Sequence, residues 1–295
     1  MTTERFLDYL AYEKRYSQHT IKAYCSDLEQ FSSYLQEYYS TDDPGAAGHQ
    51  MIRSWIVSMM EAGQTARTAN RKITTLKSFY RFLLKEGSIS ENPMSRVTAP
   101  KTSARLPVFV EQESMNNLFE DVDFGEGFPA IRDRVIMEML YATGMRLSEL
   151  INLEIAGIDL YGKSLKVTGK RNKQRIIPLA DHMVSLLRQY LAIRSETFTE
   201  DKVSTHLFLT NKGEQLYPKM VYRTVHHYLD QVTTISKRSP HVIRHTFATH
   251  MLNNGADLNA IKEILGHANL AATQVYTHNT IDKLKSIYKQ AHPRA

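Results

Sequence analysis

Pro93-Met-Ser-Arg-Val-Thr-Ala-Pro100-Lys-Thr-Ser-Ala-Arg-Leu-Pro107 interrupts a helical spacing that holds on both sides of it. Its prolines and the basic, polar run from Lys101 to Arg105 read as an exposed connection between two domains. Upstream, apolar residues recur at helical intervals: Phe6, Leu7 and Leu10, then Ile21, Tyr24, Leu28, Phe31 and Leu35. Ile52, Trp55, Ile56 and Met59 repeat the pattern over about 49–61, and Ile73, Leu76, Phe79, Tyr80 and Leu83 over about 66–85. Each set makes one apolar face, so residues 1–94 are expected to form a four-helix unit, 95–107 a linker and 108–295 a second domain.

Helical spacing resumes near Glu111, but Ser164-Leu-Lys-Val-Thr168 alternates as a strand does, and Gln174-Arg-Ile-Ile177 reads as its return partner. Between them lies a turn crowded with positive charge, Gly169-Lys170-Arg171-Asn172-Lys173. The expected fold is mainly α: a helical N-terminal domain, then an α-rich C-terminal domain carrying a small β-hairpin or sheet.

At 295 residues and 42% hydrophobic, the chain has enough apolar material for two cores, and its formal charge of +6 favours a polyanionic partner. Cys25 stands alone and has no internal disulfide partner. The opening Met-Thr-Thr-Glu-Arg-Phe-Leu lacks the apolar stretch of a signal peptide, and no apolar run is long enough to span a bilayer. A cytoplasmic protein without a membrane partner is expected.

Three segments of the C-terminal half carry candidate chemistry. Ser239-Pro240-His241-Val-Ile-Arg244-His245 reads as an N-cap, a proline at the first helical position, and a histidine and arginine three apart. A helix N-terminus with an imidazole and a forked guanidinium suits an anion; the ordinary alternative is a core histidine and a surface arginine. Asp257 can cap a short helix that Gly266 ends, leaving His267 just past it and Tyr276 nine residues on. In Ala142-Thr-Gly144-Met-Arg146-Leu-Ser-Glu149-Leu150 a glycine separates two helical stretches, and the plain reading of Arg146 is a surface salt bridge with Glu149.

Taken together, these segments resemble the signature of the tyrosine recombinases, the phage integrase family, and within it the Xer-type branch. Ala142 to Leu150 is similar to the first arginine box of the family; His241-Val-Ile-Arg-His-Thr-Phe-Ala-Thr-His250, Leu265-Gly-His267 and Tyr276-Thr-His278 are similar to the second. The resemblance covers essentially the whole chain. It implies that Arg146, Lys170, His241, Arg244 and His267 surround a scissile phosphate and that Tyr276 attacks it. A tyrosine of pKa about 10 is ionised only to about a thousandth at neutral pH, so the nucleophile needs a base and cationic surroundings. Lys170 would be the general acid for the 5′ oxygen, His241 the base or a phosphate donor. Arg171, where the family often has a turn glycine, leaves Lys173 as a competitor for the acid role.

The resemblance further implies a double-stranded DNA site as partner, a homo- or hetero-tetramer with a second recombinase, a DNA translocase as a candidate activator, and no metal or cofactor. A last helix that Thr280 can cap, with Ile281, Leu284, Ile287 and Tyr288 on one face, would ordinarily pack on its own domain; the resemblance implies that it docks on a neighbouring subunit. The rival readings are the integrase of a mobile element, a DNA-binding protein without catalysis, a type IB topoisomerase, and a metal-dependent nuclease built on His241, His245, His250, His267 and His278. For the last, hard divalent ions call for a carboxylate cluster that the histidines lack.

Overall fold

The computed structural model describes residues 2–102, 108–169, 173–198, 204–266 and 278–294. The chain divides into two compact units, Met1–Arg105 and Leu106–Ala295, each with its own apolar core. In the first, α1 (Thr2–Asp8) runs into a single π-helical turn, Tyr9–Glu13, and is followed by α2 (Gln18–Tyr39), α3 (His49–Glu61) and α4 (Ala66–Lys85). The boundaries follow local chemistry. Ser17 Oγ accepts from the Thr20 N–H at 3.3 Å to open α2, and Thr65 Oγ1 does the same for Thr68 at 3.2 Å to open α4. The apolar faces read from the sequence converge as a core of Phe6, Leu28, Phe31, Leu35, Ile52, Trp55, Leu76 and Phe79. Asp27 is buried in it and accepts two hydrogen bonds from Arg71 and one from Thr75, tying α2 to α4.

The second unit begins with α5 (Gln112–Glu120), α6 (Gly127–Thr143) and the short α7 (Leu147–Ile151). A small sheet follows, of β1 (Ile158–Asp159), β2 (Ser164–Thr168) and β3 (Gln174–Pro178), antiparallel in that order, with Leu165 opposite both Ile158 and Ile177. Then come α8 (Asp181–Thr197), α9 (Pro218–Val232), α10 (Pro240–Asn253), α11 (Leu258–Leu265) and α12 (His278–Ala291). The expected mainly helical fold with a small sheet is what forms, with β1 as an addition. Two residues are too few to show a period, and β1 exists only because β2 offers it an edge.

Buried without interruption from Val135 to Thr143, α6 is the central helix, packed against α8 and α10. A helix covered on all sides shows little amphipathic periodicity. The caps read from the sequence are present: Ser239 Oγ accepts from Val242 N–H, and Asp257 accepts from Asn259 and Ala260 N–H at 2.9 and 3.1 Å. Gly266, at φ +65°, ends α11 in the left-handed conformation that glycine adopts without strain. One expectation fails: α12 begins at His278, two residues before the Thr280 expected to open it. A threonine in a helix interior loses only a few tenths of a kcal/mol, roughly, so it does not force a start there. Among the described residues no helix is long and apolar enough to cross a membrane.

Candidate active site

The site is assembled where α6 ends. Gly144 takes φ +57°, and a Cβ there would lie 2.5 Å from Phe247 Cδ1 and 2.8 Å from Leu265 Cδ2, so the turn brings α6, α10 and α11 closer than any side chain permits. Two residues on, Arg146 is the N-cap of α7. Its backbone N–H donates to Glu149 Oε2 and its Nη1 to Glu149 Oε1, both at 2.8 Å. The pair expected here is not a surface salt bridge: the Glu149 side chain is 2% exposed, against 38% for Arg146. The carboxylate sits inside and holds a partly exposed arginine.

A second arginine explains how the carboxylate is kept there. On β3, Arg175 and Ile177 occupy the buried face, and Arg175 stands opposite Val167 of β2. From that inward position Arg175 donates Nη1 and Nη2 to Glu149 Oε1 and Oε2 at 3.0 and 2.8 Å. Burial alone would push the Glu149 carboxyl up, but the hydrogen bonds and charge of Arg175, together with Arg146, outweigh it and hold the group below the usual carboxylate range. Sequence reading took Arg175 only as part of a return strand. The signal that finds it is a charged residue in the inward phase of an alternating strand, the phase of Leu165 and Val167.

Arg244 comes from the second turn of α10. It is buried, and it donates Nη1 to Gly144 O at 2.6 Å and Nη2 to Leu265 O at 2.7 Å. His241, one turn earlier, is exposed. This inverts the ordinary expectation of a core histidine and a surface arginine. Burial, and then the neighbouring charge of Arg146, pull Arg244 down to about 10, which leaves it cationic at neutral pH. His245, partly buried one turn past His241, is also lowered, by burial and then by His241.

The three guanidinium groups meet along one strip of backbone. Arg175 Nε donates to Ile264 O at 2.6 Å, Arg244 Nη2 to Leu265 O at 2.7 Å, and Arg146 Nη2 to Gly266 O at 3.3 Å. Successive carbonyls at the C-terminus of α11 thus each take a different arginine, at the end where the helix dipole favours cations.

Lys170, His267 and Tyr276 lie outside the described residues, as does Arg171. The residues that lead to two of them are in contact with the cluster. A Cβ on Gly169, before Lys170, would fall 3.1 Å from Glu149 Oε1, and one on Gly266, before His267, 3.2 Å from Arg175 Cδ. Gly169 N–H donates to Lys173 O at 2.7 Å across the hairpin, and Lys173 is exposed. Of the histidines close in sequence, His250 is buried and shares a hydrogen bond with Tyr141 Oη at 2.8 Å. Among the described residues no group of His, Cys, Asp and Glu could hold a metal ion.

Three guanidiniums against a single carboxylate leave the cluster strongly positive, with its forks already oriented by protein acceptors. The chemistry of such a cluster suits an oxyanion. Two family models match the sequence: the phage integrase family over residues 109–283, and the phage integrase N-terminal SAM-like domain over 3–87. The tyrosine recombinase XerC of Chlorobaculum parvum is 40% identical, aligned over 99% of this chain and 94% of that protein. That of Bacillus subtilis is 37% identical, over 98% and 95%. In fold the chain is similar to a XerH site-specific recombinase bound to a palindromic difH substrate, with a TM-score of 0.71 and 21% identity over 99% of this chain and 92% of that one.

Proposed function

The chain belongs to the phage integrase family of tyrosine recombinases, enzymes of site-specific recombination, and from that premise we propose that it cuts and rejoins double-stranded DNA through Tyr276. The observation that carries the reading is the row of Arg175, Arg244 and Arg146 on the last three carbonyls before His267. Arg146 and Arg244 take the non-bridging oxygens of the scissile phosphate, and His267 adds a donor. His241 accepts the tyrosine proton or binds the phosphate. Tyr276 Oη forms a bond to phosphorus as the bond to the 5′ oxygen breaks; Lys170 delivers the proton to that leaving oxygen, with Lys173 as the alternative. The phosphotyrosyl ester keeps the energy of the bond that broke. Attack by a 5′ hydroxyl of the partner strand therefore reseals the DNA without ATP, and the residues call on no metal or cofactor.

Residues 1–94 form the core-binding domain, 95–107 the linker and 108–295 the catalytic domain. The protein acts in the cytoplasm as a tetramer, homomeric or shared with a second recombinase, and a DNA translocase is a candidate activator. The XerC relatives favour chromosome dimer resolution over the integration of a mobile element.

Covalent trapping tests this reading. Wild type and Tyr276→Phe are incubated with sheared source-genome DNA in EDTA and denatured, and the DNA that remains protein-linked is sequenced. Adducts at one locus, absent from Tyr276→Phe, are expected. Equal recovery from both proteins would remove Tyr276 as the nucleophile, and no adduct from either would favour DNA binding without catalysis.

A further inference from the structure

We propose that Arg175 is a positioning residue for strand cleavage: it fixes the Glu149 carboxylate, and through it Arg146, and anchors to that carboxylate the two segments that lead to Lys170 and His267. The inference rests on the reading of the site given above and deepens it. Arg175 is 5% exposed, so it acts on DNA through other groups and not by touching it. Its three donor positions are committed to protein: Nη1 and Nη2 to Glu149, Nε to Ile264 O.

Each commitment reaches a different part of the site. Glu149 carries the bond to the Arg146 guanidinium. Ile264 O belongs to the last turn of α11, and a Cβ on Gly266 would lie 3.2 Å from both Arg175 Cδ and Nη1, so the chain entering His267 lies directly on the arginine. Gly169 is seated against the same group: a Cβ there would be 3.6 Å from Arg175 Nη1 and 3.1 Å from Glu149 Oε1. Arg175 is the second residue of β3, three before Pro178 closes the strand, on the return limb of the hairpin whose outward limb ends at Thr168, so it is also rooted in the sheet. One side chain therefore spans β3, the start of α7 and the end of α11. A planar fork with three donor directions can do this; an ammonium, a point charge, holds the charge but not the three directions.

The test uses the full-length protein, the sheared genomic DNA and the trapping assay described above, with adduct formation expressed per folded molecule from circular dichroism. The variants are Arg175→Met, Arg175→Lys, Glu149→Gln and the double variant Arg175→Met with Glu149→Gln. Arg175→Met should form adduct at least about tenfold more slowly while retaining DNA on a filter nearly as wild type does, a loss of the size that misplaced transition-state donors give. The deficit should widen as pH falls, because Glu149 keeps its burial but loses its strongest partner and protonates earlier. Arg175→Lys, which preserves the charge and is the safer variant for folding, should show a slow rate with less of this pH dependence. In the Glu149→Gln background Arg175→Met should add little, since the two act as one unit.

A purely structural Arg175 gives a different pattern: a lower melting temperature, an unchanged rate per folded molecule and a ratio to wild type that is flat with pH. That pattern, or additive losses in the double variant, overturns the inference. Absence of adduct from wild type itself would instead overturn the tyrosine chemistry on which the inference rests, so the two failures are told apart by the wild-type lane.

Discussion

Arg244 is held by two backbone oxygens, Gly144 O and Leu265 O, from two different turns. Replacing it with alanine leaves both acceptors without this partner and, on the proposed mechanism, removes a transition-state donor. Adduct formation by Arg244→Ala should fall about a hundredfold or more. Unfolding by urea should also show a loss of roughly 1–3 kcal/mol for each buried acceptor left unmade. Lysine at this position should recover little of either, having no fork to span the two carbonyls. The candidate residues Arg146, Arg244 and His241 were legible because their spacing matches a motif, but their environments were not. Three residues along a helix is a rotation of about 60° short of a full turn, enough for His241 to face solvent while Arg244 goes inside, and only the packing of α6 and α11 decides which. Arg175 was missed because a strand's alternation is read from its apolar members, and a charge in the inward phase looks like a break in the pattern until its partner Glu149 is found 26 residues away.

At the scale of elements, helices with a cap or a sustained apolar period were legible, α3 over 49–61 among them although no side chain caps it, and the very short elements were not. Ser239 with Pro240 and Asp257 with Gly266 announce α10 and α11 chemically, whereas the π turn at Tyr9–Glu13 and the two-residue β1 have no signal of their own. Gly144 joins α6 to the site, and Gly144→Ala should be destabilising by roughly 1–3 kcal/mol from overpacking against Phe247 and Leu265. The positive φ adds about 1 kcal/mol or more. Equilibrium denaturation of the variant checks the sum; a loss under about 0.5 kcal/mol would mean the turn adapts. The other end of the unit is pH-sensitive. His292, just past α12, is buried against Tyr288, Tyr141 and Phe247, and its Nε2 lies 3.2 Å from Tyr141 O. Burial lowers it to about 4, so the folded state binds its proton later than the unfolded chain does. Stability from this group is therefore complete above the ordinary histidine pKa of about 6.5 and is lost as pH falls from there toward about 4. Hydrogen exchange in α12 should quicken across that window, and His292→Phe should flatten the response.

At the scale of the molecule, each of the two units has a separate core, and no residue of one core belongs to the other. A chain ending at Arg105 should fold by itself, with helical circular dichroism and a cooperative melt; a broad, non-cooperative loss of signal would show that the core around Phe31 and Phe79 needs more than its own helices. The arrangement of the site also bears on how such a chain can change over generations. Its arginines are aligned by main-chain oxygens at the end of an eight-residue helix, and those oxygens are the same whatever side chains α11 carries. Exposed positions of that helix are free to drift without disturbing the alignment. A single inserted or deleted residue would shift the register and hand every arginine the wrong carbonyl, so the length of α11, more than its spelling, is what inheritance has to conserve.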